Sequence, residues 1–185
     1  MFCLQPKFRL SYRRTLLPFL LSLLFVCSPA WATDAQDISI GLKALLMMGE
    51  RPSGVVNVAI VYDSASPESE TDAESIKSKI DSGVGVPSGL KLATRLINIS
   101  ELDKLSDVKL VFLASGISPA GFDPISKASS SGILTISTDI ACVRTNKCVL
   151  GIVSRPSVAI YYSAAAAEAA HISFVSSFLM LVKQI

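Results

Sequence analysis

Charge is scarce in this 185-residue sequence, where 17% of residues are ionisable acids or bases against 50% hydrophobic, and one histidine stands alone. A serine hydrolase needs a base beside its nucleophile, and no G-x-S-x-G elbow accompanies His171, so that chemistry has no visible footing. Runs of Lys or Arg are also missing. The net charge of +2 comes from Lys7, Arg9, Arg13 and Arg14; the 153 residues after position 32 carry 13 bases and 15 acids, a net −2. Without a basic patch to neutralise phosphates, nucleic-acid binding is excluded as a leading function. The chain is long enough to bury one ordinary core and short for two.

What the sequence does have begins with an address. Lys7–Arg14 is positive, Leu16–Val26 is apolar, and Ala30-Trp31-Ala32 places small residues where a signal peptidase reads them, which predicts a secretory leader over residues 1–32 with cleavage between Ala32 and Thr33. Eleven apolar residues fall short of the roughly 18–20 needed for a permanent span. Arg13-Arg14 resembles a twin-arginine signal, but general secretion is favoured because the apolar stretch is strongly hydrophobic. Cys27 sits where a lipoprotein's cysteine would, after a Val26 too bulky for that motif. The mature chain, residues 33–185, is expected in the periplasm.

Loss of the leader removes Cys3 and Cys27 and leaves Cys142 and Cys148. An even cysteine count in an exported chain predicts a disulfide. Asn146 suits a tight turn, so a hairpin is expected to bring the two together. A structural staple, a redox-sensitive bond and a reactive pair remain alternatives, and metal is disfavoured because two thiolates and His171 do not fill a tetrahedral shell. No cofactor and no catalytic residue is expected.

Periodicity supplies the elements. Asp37–Gly49 reads as an amphipathic helix, Val55–Tyr62 as a strand buried on both faces, Asp63–Ser69 as a polar loop and Glu70–Asp81 as a solvated helix. Gly83 to Gly89 punctuates the chain as a turn; it precedes a strand, whereas a phosphate loop follows one. Leu90–Ile99 alternates as a half-exposed strand, Ser100 is placed to cap a short helix with Asp103 three residues on, and Val108–Ala114 is a buried strand. Pro119–Ser131 predicts a helix and Ile133–Ser137 a strand. Cys148–Val153 and Val158–Ser163 follow as strands joined too closely for a parallel crossover. Ala164–Ala170 favours helix, His171 ends it, and Phe174, Phe178 and Val182 suggest a final amphipathic helix. The whole predicts an α/β fold: a single-domain sandwich with a mostly parallel, Rossmann-like central sheet and an antiparallel C-terminal strand pair.

One loop stands out as a ligand or partner site. Asp63, Ser64 and Ser66 follow the first strand at its carboxyl end, where open α/β sheets gather ligands. Asp139, after a later strand, is expected to cap a turn.

Three stretches, VNVAIVYDSASPES (Val56–Ser69), GILTISTD (Gly132–Asp139) and VAIYYSAAAAEAAHISFVSSFLMLVKQI (Val158–Ile185), together resemble the YfiR family of exported bacterial proteins. That resemblance implies a compact periplasmic α/β regulator, not an enzyme, that binds the periplasmic part of an inner-membrane signalling protein. The implied target is a diguanylate cyclase controlling cyclic-di-GMP and biofilm formation. It implies that Cys142 and Cys148 match the family's C-terminal stabilising pair, and it leaves room for an outer-membrane lipoprotein partner and a homodimer. The first helix departs from the family's aromatic face, and Arg51-Pro52 keeps only the proline of its Trp-Pro ending. The alternative is a periplasmic solute-binding component related to transporter-associated binding proteins, disfavoured because those close two lobes over a ligand and this chain supplies one.

Overall fold

The β-branched run ending at Tyr62 lies in mid-sheet, where side chains on both faces of a strand are covered. A computed structural model describes residues 33–130 and 132–185, so the expected leader, including Ala32, lies outside the described residues. The strand β1 (Gly54–Tyr62) pairs in parallel with β2 (Leu90–Asn98) on one side and β3 (Leu110–Leu113) on the other. Next come β4 (Leu134–Ser137) and β5 (Leu150–Val153), both parallel. The antiparallel pair is β5 with β6 (Ala159–Tyr162), and a two-residue β7 (Lys183–Gln184) lies parallel to β6 at the margin. The sheet order is β2-β1-β3-β4-β5-β6-β7, the mostly parallel α/β sheet with one antiparallel pair expected from the sequence.

Alternation within β1 sends its side chains to two cores. Val58 and Ile60 join Ile38 and Leu42 of α1 (Ala35–Ala44), Ile76 of α2 (Pro67–Asp81), and Phe174 and Phe178. Ala59 and Val61 face the other way, with Phe122 and Ile125 of α3 (Pro119–Ala128), Cys142 of α4 (Ile140–Arg144), and Cys148. Each large aliphatic side chain so buried contributes about 1.5–3 kcal/mol.

Several boundaries differ from the sequence expectation, each for a local reason. The first helix starts earlier, because the Asp34 carboxylate accepts the Gln36 and Asp37 amides while Asp37 accepts the Asp34 amide. It also stops earlier, tightening into a 3-10 turn over Leu45–Met47. The loop after β1 is shorter than expected, since Pro67 opens α2 with Ser66 as its cap. Ser100 is not a cap: Asn98 accepts the Ser100 amide and hydroxyl at the start of a 3-10 segment, Ile99–Leu105.

The final amphipathic helix is also corrected. After α5 (Ala164–Ala169), His171 takes φ 55° and ends the helix as expected, but α6 (Ser176–Leu179) is a single turn. Phe174 forms an antiparallel bridge with Met48, the Val175 amide donates to the Met47 carbonyl at 2.9 Å, and the chain then enters β7. A bridge plus one turn buries Phe174 and Phe178 as a helix would, so apolar spacing could not separate the two.

Candidate functional site

Chain order decides where a site can form. From β1 the chain goes to β2 on one side and returns to β3 on the other, so the connections leave in opposite directions at the carboxyl ends of β1 and β3, the position at which open α/β sheets gather ligands. Asp63, Ser64 and Ser66 stand at that edge, as the sequence suggested. Asp63 Oδ1 accepts the Ala65 amide at 2.9 Å, and the Asp63 amide donates to Ser69 Oγ at 3.1 Å. Ser66 Oγ accepts the Ser69 amide at 3.3 Å, and the Ser66 amide donates to the Asp63 carbonyl at 3.0 Å. The loop is therefore self-braced.

Facing that loop is the turn after β3. Gly116 has φ 77°, and a Cβ there would stand 2.9 Å from Ser66 Oγ, so glycine allows both the turn and the close approach of the two loops. The Ser115 amide donates to Asp72 Oδ2 at 2.8 Å, while Ser115 Oγ is buried without a hydrogen-bond partner among the described residues. Next along the edge, Asp139 accepts the Ala141 amide at 2.8 Å and caps α4, the expected turn-capping role.

Sequence reading missed Asp72. It lies among polar residues of a helix read as solvated, yet it is 3% exposed and accepts the Thr33 amide at 2.8 Å and the Thr33 hydroxyl at 2.9 Å. The available signal was helical spacing: Ser69, Asp72, Ala73, Ile76 and Ile80 fall on one face, which is the buried one.

The disulfide lies on the second core. Cys142 and Cys148 are joined with Cα atoms 5.3 Å apart, both fully buried. The expected hairpin is corrected, because Cys142 is inside α4 and the reversal is a helix end. The Lys147 and Cys148 amides both donate to the Cys142 carbonyl, and Asn146 supplies the left-handed residue at φ 58°.

At the amino edge of the sheet a separate cavity of about 690 Å³ is lined by Glu50, Arg51, Lys109 and His171 among others. At the start of α1 the Asp34 carboxylate is partly buried, which raises its pKa, but the Asp37 and Gln36 amides, Arg155 and Ser154 more than offset this and hold it below the ordinary range. Asp37 goes the other way, raised chiefly by burial. No group of three or more metal-ligating side chains occurs among the described residues.

The chain is similar in fold to the ABC domain in complex with L-Trp from Streptococcus pneumonia, at TM-score 0.58 and 13% identity, covering 80% of this chain and 61% of that one. It is also similar to a conserved domain protein from Vibrio cholerae, at TM-score 0.59 and 10% identity, covering 84% and 60%. At those identities the likeness is one of fold. This chain spans about three fifths of the length of each. No protein-family model matches the chain, and no curated protein matches it in sequence.

Proposed function

We propose that this protein is exported, cleaved between Ala32 and Thr33, and acts in the periplasm as a non-enzymatic regulator. It binds and represses the periplasmic part of an inner-membrane diguanylate cyclase, and so limits cyclic-di-GMP and biofilm formation. The YfiR resemblance supplies the target class. The observation that carries a protein-binding role is the C-terminal margin of the sheet, where Met180 is 81% and Leu181 75% exposed, with Leu179 and Ile185 also exposed around the marginal strand β7. Clustered apolar side chains beside a free sheet edge cost solubility unless a partner covers them.

Replacing both Met180 and Leu181 by serine should leave folding intact and raise cellular cyclic-di-GMP and surface attachment as gene deletion does. Unchanged cyclic-di-GMP in the deletion strain overturns the reading. Solute binding is favoured instead by the reversal of strand order at β1 and β3 and by the likeness in fold to an L-Trp-bound protein. Thermal shift with L-Trp and other amino acids separates the two, since a saturable rise in melting temperature would put solute binding first.

A further inference from the structure

Asp72 carries a charge problem that the folded residues leave open. Its carboxylate is 3% exposed, and none of the five ion pairs among the described residues includes it. Burying a carboxylate is expensive unless a cation or several donors compensate. Three donors are present: the Thr33 amide on Oδ1, and the Thr33 hydroxyl and Ser115 amide on Oδ2. Two of the three come from one residue.

That residue is the first one after the expected cleavage point. Thr33 is 2% exposed, and Lys79 Nζ donates to its carbonyl at 2.7 Å, so its amide, hydroxyl and carbonyl are all held. Scission of the Ala32–Thr33 bond by signal peptidase adds water across it. The hydroxyl goes to the Ala32 carboxyl and a hydrogen to the Thr33 nitrogen, which takes one more proton from solvent to become an ammonium at neutral pH. The atom that gains the charge already lies 2.8 Å from a buried carboxylate that forms no ion pair among the described residues.

We infer that Asp72 is the receptor site for the α-ammonium group of Thr33 created by leader removal, and that this ion pair braces the carboxyl edge of β1 and β3 through the Ser115 amide. The inference rests on the cleavage position in the proposed function. Before scission a neutral amide donates to the carboxylate; afterwards donor and acceptor carry opposite charges, and the contact becomes an ion pair. The other charged groups around this N-terminus are Lys79 on α2, Asp34 and Asp37 at the start of α1, and Arg155, which pairs with Asp34 at 2.9 Å. Of these the cations Lys79 and Arg155 oppose the ammonium, Lys79 being held on the Thr33 carbonyl rather than the nitrogen and Arg155 on the Asp34 carboxylate.

The test uses the full chain expressed with its leader, exported and purified. Intact mass first fixes the N-terminus. A product beginning elsewhere overturns the cleavage reading and this inference together. With Thr33 at the N-terminus, α-amine acetylation near neutral pH should be at least tenfold slower in the native protein than in Asp72→Asn. The second measurement acetylates the amine in denaturant with the disulfide intact, then refolds. Capping should lower the melting temperature by several degrees in the parent and leave Asp72→Asn unmoved, which a purely packing role for Asp72 would not produce. Equal acetylation rates, or a melting temperature indifferent to capping in the parent, would overturn the inference while leaving the cleavage position intact.

Discussion

The two halves of the sheet are held by different means. From β2 to β4 every pairing is parallel, and β3 and β4 are buried on both faces, so hydrophobic burial is the main support there. Cover thins towards the other margin: β5 is still buried except at Val153, β6 is half-buried throughout and β7 is exposed. Here the chain relies on discrete fasteners, namely the Cys142–Cys148 bond, the Met48–Phe174 bridge, and Phe174 packed edge-on to Tyr162 at 5.8 Å and against Phe178 at 4.7 Å. The difference is what the proposed partner binding at the apolar margin would need, a buried scaffold beside an exposed edge. It also says where single substitutions should tell the halves apart.

The largest effect is expected at Phe174. It belongs to the first core and is the aromatic hub of the second half, so Phe174→Ala leaves a cavity and frees the terminal segment together. A loss of about 3 kcal/mol is expected on denaturant unfolding. Hydrogen exchange should show β6 and β7 opening while β1 and β3 stay protected. Uniform loss of protection across the sheet would break the comparison, because the halves would then be one cooperative unit.

The disulfide should come next. Replacing Cys142 and Cys148 by serine releases a loop with a sequence separation of 6, worth about 2 kcal/mol on the chain-entropy account. Two hydroxyls placed in a core where both sulfurs are fully buried add to the loss. Denaturation of the parent with and without reductant should reproduce most of the difference. A reductant-insensitive midpoint would show that the fastener is packing rather than the bond.

Legibility follows the same division. Strands buried on both faces announce themselves as β-branched runs, and Val55–Tyr62 and Val108–Ala114 located β1 and β3 to within two residues at each end. The C-terminal half was harder, because Phe174, Phe178 and Val182 have helical spacing whether the chain is one helix or a bridge, a turn and a strand. At the candidate site, position could be read and pairing could not. Asp63, Ser64 and Ser66 follow a recognisable strand, but Asp72 meets Thr33 across 39 residues, and no local pattern encodes that contact. Polar neighbours made α2 look solvated, although its 3.6-residue period placed Asp72 among Ile76 and Ile80.

The smallest expected effect has the opposite sign. Asp37 is 7% exposed, and one carboxylate oxygen, Oδ1, has no partner among the described residues, while Oδ2 accepts the Asp34 amide at 3.2 Å. Burial raises its pKa above the ordinary 3.8, so the folded state holds the proton more tightly than the unfolded chain does. Such a group subtracts stability above its folded pKa, and the penalty fades as pH falls through that pKa towards the ordinary value. Asn at this position keeps the acceptor for the capping contact and removes the charge. Asp37→Asn should therefore stabilise the protein by up to about 1 kcal/mol at pH 7. The gain should shrink to nothing as pH is lowered into the ordinary carboxylate range, because both forms are then neutral. Asp34 provides the contrast within the same cap. Its pKa is lowered, so it contributes stability above the ordinary value that is lost on acidification, and Asp34→Asn should destabilise at pH 7. Urea midpoints of the two variants measured across pH would separate them, and a destabilised Asp37→Asn at neutral pH would show that the capping contact outweighs the buried charge.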